Sequence, residues 1–250
     1  GKLIMACGTG KSHTAYWISQ SINAKKIIVA VPSISLVGQI MNDWIREIVA
    51  NKQNYDFHII CSDKTTSKID NDELNTNIQD LEIPVKTNIE EIADWLSSRK
   101  HKKIIIFSTY QSGETLAKAS DKAKFKFDFG IFDEAHKTVG GGKRKLSSHL
   151  LFDENIIISQ RMFMTATERF YKGSSDEILS MDKKNIYGDT IHSLTFRKAI
   201  EISKKLARPI LTDYEILPIT ISNQEISSII KANCYVKPNK GKWDEQVQSR

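Results

Sequence analysis

Seven residues near the start of the chain, Ala6-Cys7-Gly8-Thr9-Gly10-Lys11-Ser12, stand between an apolar run, Leu3–Ala6, and a helix-length segment, Ser12–Ile22. A glycine-rich turn in that position limits what the flanking residues can build. The strand must end, the backbone must curl so that successive N–H groups converge, and the helix must open with its N-terminus facing the same point. Such a turn is a phosphate cradle. Glycines give it room, Lys11 reaches outer phosphates, and the Ser12 hydroxyl can bind Mg²⁺. The strict pattern G-x-x-x-x-G-K-[ST] asks for glycine at position 5, where Met5 stands.

The rest of the first half repeats the strand-then-helix rhythm. Lys26–Val31 is followed by Ser33–Ala50, Phe57–Cys61 comes next, Ile104–Phe107 leads into Tyr110–Ala119, and Phe127–Phe132 and Met162–Met164 complete the series. Short apolar strands separated by helix-length segments predict parallel βαβ units in a three-layer α/β/α sandwich. The 250 residues suffice for one large domain or two small ones. Residues 62–102 break the rhythm with a polar stretch and a predicted helix, Ile89–Ser98, and read as an insertion. After Met164 the chain turns polar, resumes as a helix over Thr195–Leu206, and continues with a strand near Tyr214–Ile221 and a helix over Gln224–Ala232. The expected boundaries are a domain over 1–222 and a helix with linker over 223–250.

Several classes fall away. Cys7, Cys61 and Cys234 are odd in number and far apart, which fits reduced thiols. The six histidines form no zinc spacing, so a metal held by the protein alone is not expected. No apolar run approaches the roughly 20 residues of a membrane helix, and a cytoplasmic location without a membrane partner is expected. Lys and Arg total 36 against 30 Asp and Glu, a net +6 that permits a polyanionic partner without requiring one. Lys100-His101-Lys102-Lys103 reads as a solvated turn, and Lys143-Arg144-Lys145 stands where it can reach a nucleic-acid backbone. Trp17, Trp44 and Trp95 sit in apolar helical patterns and are expected in the core.

At Phe127–Phe132 an apolar strand delivers Asp133 and Glu134 at its C-terminal end, the edge where open α/β sheets bind ligands. Asp133 suits Mg²⁺ binding, and Glu134 suits removal of a proton from a water attacking the γ-phosphate. His136, two residues on, is placed for a coupling role.

Together these segments resemble superfamily 2 helicases and translocases. A-C-G-T-G-K-S is similar to motif I, Asp133–His136 (D-E-A-H) to motif II, Met164–Thr167 (M-T-A-T) to motif III, Val31–Gln39 to motif Ia and Phe107–Ser112 to motif Ib. Further signatures, including Ser180-Met181-Asp182, Ile186-Tyr187-Gly188, Phe196–Ile200 and Leu211–Tyr214, resemble a bacterial and phage subgroup related to the motor subunits of type I, type III and single-polypeptide restriction enzymes. The resemblance implies a first RecA-like P-loop NTPase domain that uses ATP and Mg²⁺, acts on DNA, and serves in a restriction or phage-defence system. It assigns Gly8, Thr9, Gly10, Lys11 and Ser12 to the triphosphate, Ser12 and Asp133 to Mg²⁺, and Lys11, Asp133 and Glu134 to catalysis. His136, Thr165 and Thr167 would couple hydrolysis to movement. Pro32, Ser33, Gln39, Ser108, Thr109 and Tyr110 would line the strand-binding face, while Ser33 and Gln39 read equally as a helix N-cap and a surface residue. Glu168 stands where the family usually has proline.

Other readings share parts of this pattern: a protein-remodelling P-loop ATPase, a truncated remnant that binds nucleotide or DNA without turnover, and an RNA helicase. The chain opens on Gly1 at the edge of a strand, which suggests a piece of a longer protein. A motor of this class needs a second RecA-like domain, whose arginine finger is worth about 10³–10⁵ in rate in related systems. The 250-residue chain is therefore expected to bind ATP–Mg²⁺ weakly and to turn it over slowly without unwinding. Steady-state phosphate release with and without DNA checks this, and robust DNA-stimulated turnover lost on Lys11→Ala would overturn it.

Overall fold

The computed structural model describes residues 1–61, 88–140, 146–171, 178–207 and 209–213. The chain divides into two compact units, Gly1–Thr212 and Asp213–Arg250. The expected strand near Tyr214–Ile221, the helix over Gln224–Ala232, the polar part of the insertion and Lys143-Arg144-Lys145 lie outside the described residues.

In the first unit the alternation of apolar runs becomes β1 (Lys2–Met5), α1 (Lys11–Ser21), β2 (Lys26–Val31), α2 (Ile34–Ala50), β3 (Asp56–Ile60), α3 (Ile89–Ser97), β4 (Ile104–Thr109), α4 (Gly113–Lys122), β5 (Phe127–Phe132), β6 (Ile158–Thr165), α5 (Lys184–Tyr187), β7 (Thr190–Leu194) and α6 (Phe196–Ser203). The seven strands form one sheet in the order β3-β4-β2-β5-β6-β1-β7, and every pairing is parallel. Period-two alternation then sorts side chains to two faces. Ile27, Val29 and Val31 of β2 join Tyr16, Val37, Met41 and Trp44 in one core, whereas Ile28 and Ala30 join Ile92, Leu96, Leu116 and Leu150 in the other. The sheet is thus buried on both sides, the expected three-layer α/β arrangement.

Local chemistry fixes the element ends. Ser33 caps α2 by accepting from Leu36 N–H, and Asn88 caps α3 by accepting from Glu90 N–H. After α1, α2 and α4 the chain turns through left-handed Asn23, Lys52 and Lys124, and the next residue's N–H bonds five residues back, as in Ala24 N–H to Ser19 C=O. No glycine marks these turns, which is why the end of α4 falls three residues beyond the expected Ala119.

Several features differ from what the sequence led one to expect. Strand β7 was not legible: its residues Thr190-Ile191-His192-Ser193-Leu194 lie at the sheet edge, largely exposed, with no apolar alternation to announce them. Trp17 is 52% exposed, because α1 turns Ala15, Tyr16 and Ser19 inward and the intervening position faces out. Trp95 is only partly buried, stacked on His58 and covered by the Arg99 guanidinium. Lys102, in the turn read as solvated, pairs with Asp56. Cys61 is free and buried at the end of β3, where burial pushes its thiol up to about 12. Among the described residues no helix is long and apolar enough to cross a membrane.

Trp44 is fully buried, and its indole N–H donates to Ser12 C=O at 3.1 Å, tying α2 to the first turn of α1. Trp44→Ala is expected to cost about 3–5 kcal/mol of stability. Trp44→Phe should cost less, since it keeps most of the packing and loses the hydrogen bond, and chemical denaturation of both variants checks the order.

Candidate active site

The strand order places the C-terminal ends of β5, β6 and β1 side by side. Each end carries one of the singled-out segments: the acid pair after β5, Thr165 at the end of β6, and the glycine-rich loop after β1. The loop is built as the sequence requires. Gly8 and Gly10 take φ of 78° and 85°, and Gly10 is the left-handed N-cap of α1. A side chain at Gly8 would also press on Leu211. Thr9 turns its hydroxyl back onto Ala6 C=O at 2.7 Å, and its N–H makes the same contact, so it braces the loop and faces inward. Lys11 Nζ donates to Met5 C=O at 3.3 Å.

Ser12 Oγ is buried without a hydrogen-bond partner among the described residues. A buried hydroxyl left so costs about 1–3 kcal/mol. An oxygen at the first helical turn beside Lys11 is a fitting ligand for a hard cation that arrives with a phosphate, so the donor set passes the test for Mg²⁺.

Burial pushes the Asp133 carboxyl up to about 6, with the Glu134 charge adding to the rise while the Glu134 N–H bond and the Lys11 charge hold it back. Glu134 N–H donates to Asp133 Oδ1 at 2.9 Å. Glu134 itself sits in the left-handed region, φ 47° and ψ 44°, a conformation that costs an L residue about 1–2 kcal/mol. It ends β5 abruptly and turns the acid pair over the sheet edge.

Proton counting settles the histidine. The Thr165 hydroxyl donates its one proton to Thr167 C=O at 2.8 Å, so Thr165 Oγ1 accepts from its other neighbours, Thr167 N–H at 3.2 Å and His136 Nδ1 at 3.0 Å. His136 Nδ1 therefore carries hydrogen, and the same N–H lies 3.2 Å from Glu134 Oε2. Burial lowers the His136 pKa, and Arg169, Lys137 and Lys11 reinforce this against the opposing pull of Glu134, so the ring is neutral near pH 7. Glu134, His136, Thr165 and Thr167 are one connected chain linking the acid pair to the end of β6.

The six residues expected on a strand-binding face separate into two groups. Gln39 is exposed, Pro32 half-buried, and Ser33 a buried cap whose hydroxyl also meets Ser35 Oγ. Ser108, Thr109 and Tyr110 are buried, which corrects the expectation for their side chains. Ser108 Oγ donates to Thr109 C=O, Thr109 Oγ1 meets Ser112 Oγ, and the Tyr110 hydroxyl donates to Asp133 C=O at 2.6 Å. The Glu168 charge is also accounted for locally: Lys2, itself buried, pairs with it and donates to Met181 C=O at 3.0 Å. Two positions escaped notice, Thr138 and Tyr187, whose hydroxyls meet at 2.7 Å beneath the acid pair. Tyr187 was marked only by membership in the Ile186-Tyr187-Gly188 signature, and nothing in the local pattern distinguished either residue from packing.

The type III restriction enzyme res subunit family model matches residues 1–170. The chain belongs to this family. As a res-subunit relative it is a helicase-type, RecA-like ATP-binding domain related to restriction-enzyme motors. Among curated proteins it is 26% identical over 251 residues to "Probable helicase A859L" of African swine fever virus (strain Badajoz 1971 Vero-adapted), covering 95% of this chain and 25% of that protein. It is 28% identical over 199 residues to the same protein from isolate Tick/South Africa/Pretoriuskop Pr4/1996, covering 80% and 20%. The chain thus spans about a quarter or less of the length of these relatives. Among solved structures it is similar to the ATP-dependent type ISP restriction-modification enzyme LlaBIII bound to DNA, with a TM-score of 0.62 and 27% identity over 81% of this chain and 14% of that one. It is also similar to a nuclease-deletion mutant of the type ISP enzyme LlaGI in complex with a DNA substrate mimic, with a TM-score of 0.58 and 25% identity over 93% and 20%.

Because the folded Asp133 pKa, about 6, lies above its ordinary 3.8, ionising this group costs folding stability. The penalty is absent below about pH 4, grows through the interval and is complete above about pH 6. Asp133→Asn, which keeps the acceptor for Glu134 N–H, is expected to raise Tm near neutral pH and to leave it unchanged near pH 4. Thermal unfolding across this range checks the sign.

Proposed function

We propose that this domain binds ATP with Mg²⁺ at the C-terminal edge of β5, β6 and β1 and hydrolyses it to drive movement on DNA. The observation that carries the reading is the convergence there of the glycine loop with its unpartnered Ser12 Oγ, the acid pair, and the His136–Thr165 link.

In this reading the N–H groups of the loop and the N-terminus of α1 hold the phosphates, and Lys11 leaves Met5 C=O to neutralise the outer ones. Ser12 and Asp133 would hold Mg²⁺, which when bound offsets charge on the β- and γ-phosphates. Glu134 orients the attacking water and accepts its proton as the new oxygen–phosphorus bond forms and the bond to ADP breaks. His136 Nδ1–H keeps the Glu134 carboxylate aimed, and the same ring passes any shift of Glu134 to Thr165 and Thr167. A second RecA-like domain, following a first domain over 1–222 and a linker over 223–250, would supply the arginines. The DNA-bound state of the solved relatives supports DNA as the polymer. Pro32, Ser33, Gln39 and the backbone of 108–110 would contact its phosphates, grip without base readout being what a motor needs. Service in restriction or phage defence, in the cytoplasm, belongs to the same reading.

Lys11→Ala is expected to weaken ATP–Mg²⁺ binding by at least about tenfold, whereas Glu134→Gln should bind like the parent chain and slow single-turnover hydrolysis by about 10²–10⁴. Equilibrium binding and quenched-flow measurements check the pair, and equal loss of binding in both variants overturns the role of Glu134. Salt titration of binding to single- and double-stranded DNA and to RNA, with log K falling about 0.7–0.9 per phosphate contact, tests the polymer.

A further inference from the structure

The left-handed Glu134 needs something to hold it, because strained backbone persists only where its surroundings over-determine it. Three consecutive carbonyls around it are all engaged. Glu134 C=O accepts from Lys137 N–H at 2.9 Å, Asp133 C=O from the Tyr110 hydroxyl at 2.6 Å, and Ala135 C=O from the Thr138 hydroxyl at 2.7 Å. Since Thr138 has spent its one proton on Ala135, the Tyr187 hydroxyl must be the donor in its 2.7 Å bond to Thr138 Oγ1. Two phenols thus reach the loop, one on each side of Glu134.

Those phenols end a single row of aromatic rings. Tyr110 stacks on Phe132 at 6.4 Å and 7°, Phe132 on Phe163 at 5.0 Å and 25°, and Phe163 meets Tyr187 edge-on at 4.9 Å and 62°. One ring comes from the segment after β4, one each from β5 and β6, and one from α5, and all four are buried. We propose that Tyr110 and Tyr187 are positioning residues for hydrolysis, two ends of a rigid aromatic row whose hydroxyls hold the Asp133–His136 loop in the shape that aims Glu134. Phenylalanine would fill the same space at either end, so packing alone does not call for the hydroxyls. Burial raises both phenol pKa values, that of Tyr187 to about 12, and keeps both groups protonated donors. The inference rests on the proposed role of Glu134 in ATP hydrolysis.

The test compares Tyr110→Phe, Tyr187→Phe and the double variant with Tyr55→Phe. Tyr55 is another buried phenol that donates to a backbone carbonyl, that of Ala24 at 3.1 Å, at the far edge of the sheet. In single-turnover assays of the 250-residue chain, each site variant should slow ATP hydrolysis by about tenfold and the double variant by more, with ATP–Mg²⁺ affinity within about twofold of the parent. Tyr55→Phe should lower Tm and leave the rate alone. Hydrogen exchange in the absence of nucleotide gives a readout independent of turnover. Peptides covering 130–140 should exchange at least about fivefold faster in the Tyr110 and Tyr187 variants and unchanged in Tyr55→Phe. Rates and loop exchange matching Tyr55→Phe would overturn the proposal. Lys11→Ala, run alongside, separates the two failures: if it leaves ATP binding intact the nucleotide site is misassigned, and if it abolishes binding while the phenol variants are silent, only the positioning role falls.

Discussion

Parallel pairing of β1 between β6 and β7 is the constraint from which the rest of the site follows. A parallel strand cannot return by a hairpin, so each segment after a strand must cross a face of the sheet before the chain re-enters. The loops that leave the C-terminal edge are therefore all turns into crossovers, and their N–H groups and short polar side chains gather along one rim. With β5, β6 and β1 adjacent, the glycine loop, the acid pair and Thr165 meet although they are more than a hundred residues apart at the extremes. The pockets lined by Asn54, Asp56 and Lys102 and by Lys124, Asp153 and Ile156 lie at the opposite edge, near the starts of β3 to β6, with none of these groups in them.

Within the rim the electrostatics are arranged by burial more than by pairing. Asp133 is held short of easy ionisation, His136 is kept neutral, and the Lys11 ammonium acts on both. A neutral imidazole with hydrogen on Nδ1 can bond a carboxylate and a hydroxyl with a single N–H, which an imidazolium drawn wholly to Glu134 would do less evenly. Thr165 at the end of β6 and Thr167 just beyond it are thus tied to the acid pair by geometry that a change in either partner would disturb.

How much of this was legible depends on whether a residue's role left a mark in the local pattern. Strands β2, β4 and β5 are dominated by apolar residues because both their faces are buried, and their first residues were read as they stand. The glycine loop and the acid pair stood out because glycines at a strand-to-helix turn and two adjacent acids at a strand end are conspicuous residue types in fixed places. Strand β7 was not, since an edge strand needs neither alternation nor apolar bulk. Tyr110 was noticed and given the wrong surroundings: a tyrosine after a strand end reads as exposed, and only the fold shows that the 3-10 turn at Tyr110–Ser112 swings the ring inward onto Phe132. Thr138 and Tyr187 are 49 residues apart, and no spacing rule connects them.

The Lys2–Glu168 pair makes two distant positions of the chain depend on each other. A buried ammonium on β1 is tolerable only with a carboxylate and a carbonyl around it. Glu168, which stands where the resemblance calls for proline, is therefore coupled to Lys2. Removing either charge alone leaves the other without its partner, the costly case for a pair drawn out of solvent. The charge just beyond β6 thus clasps the end of that strand to its neighbour β1, a fastening that the backbone ladder between the two strands does not itself supply.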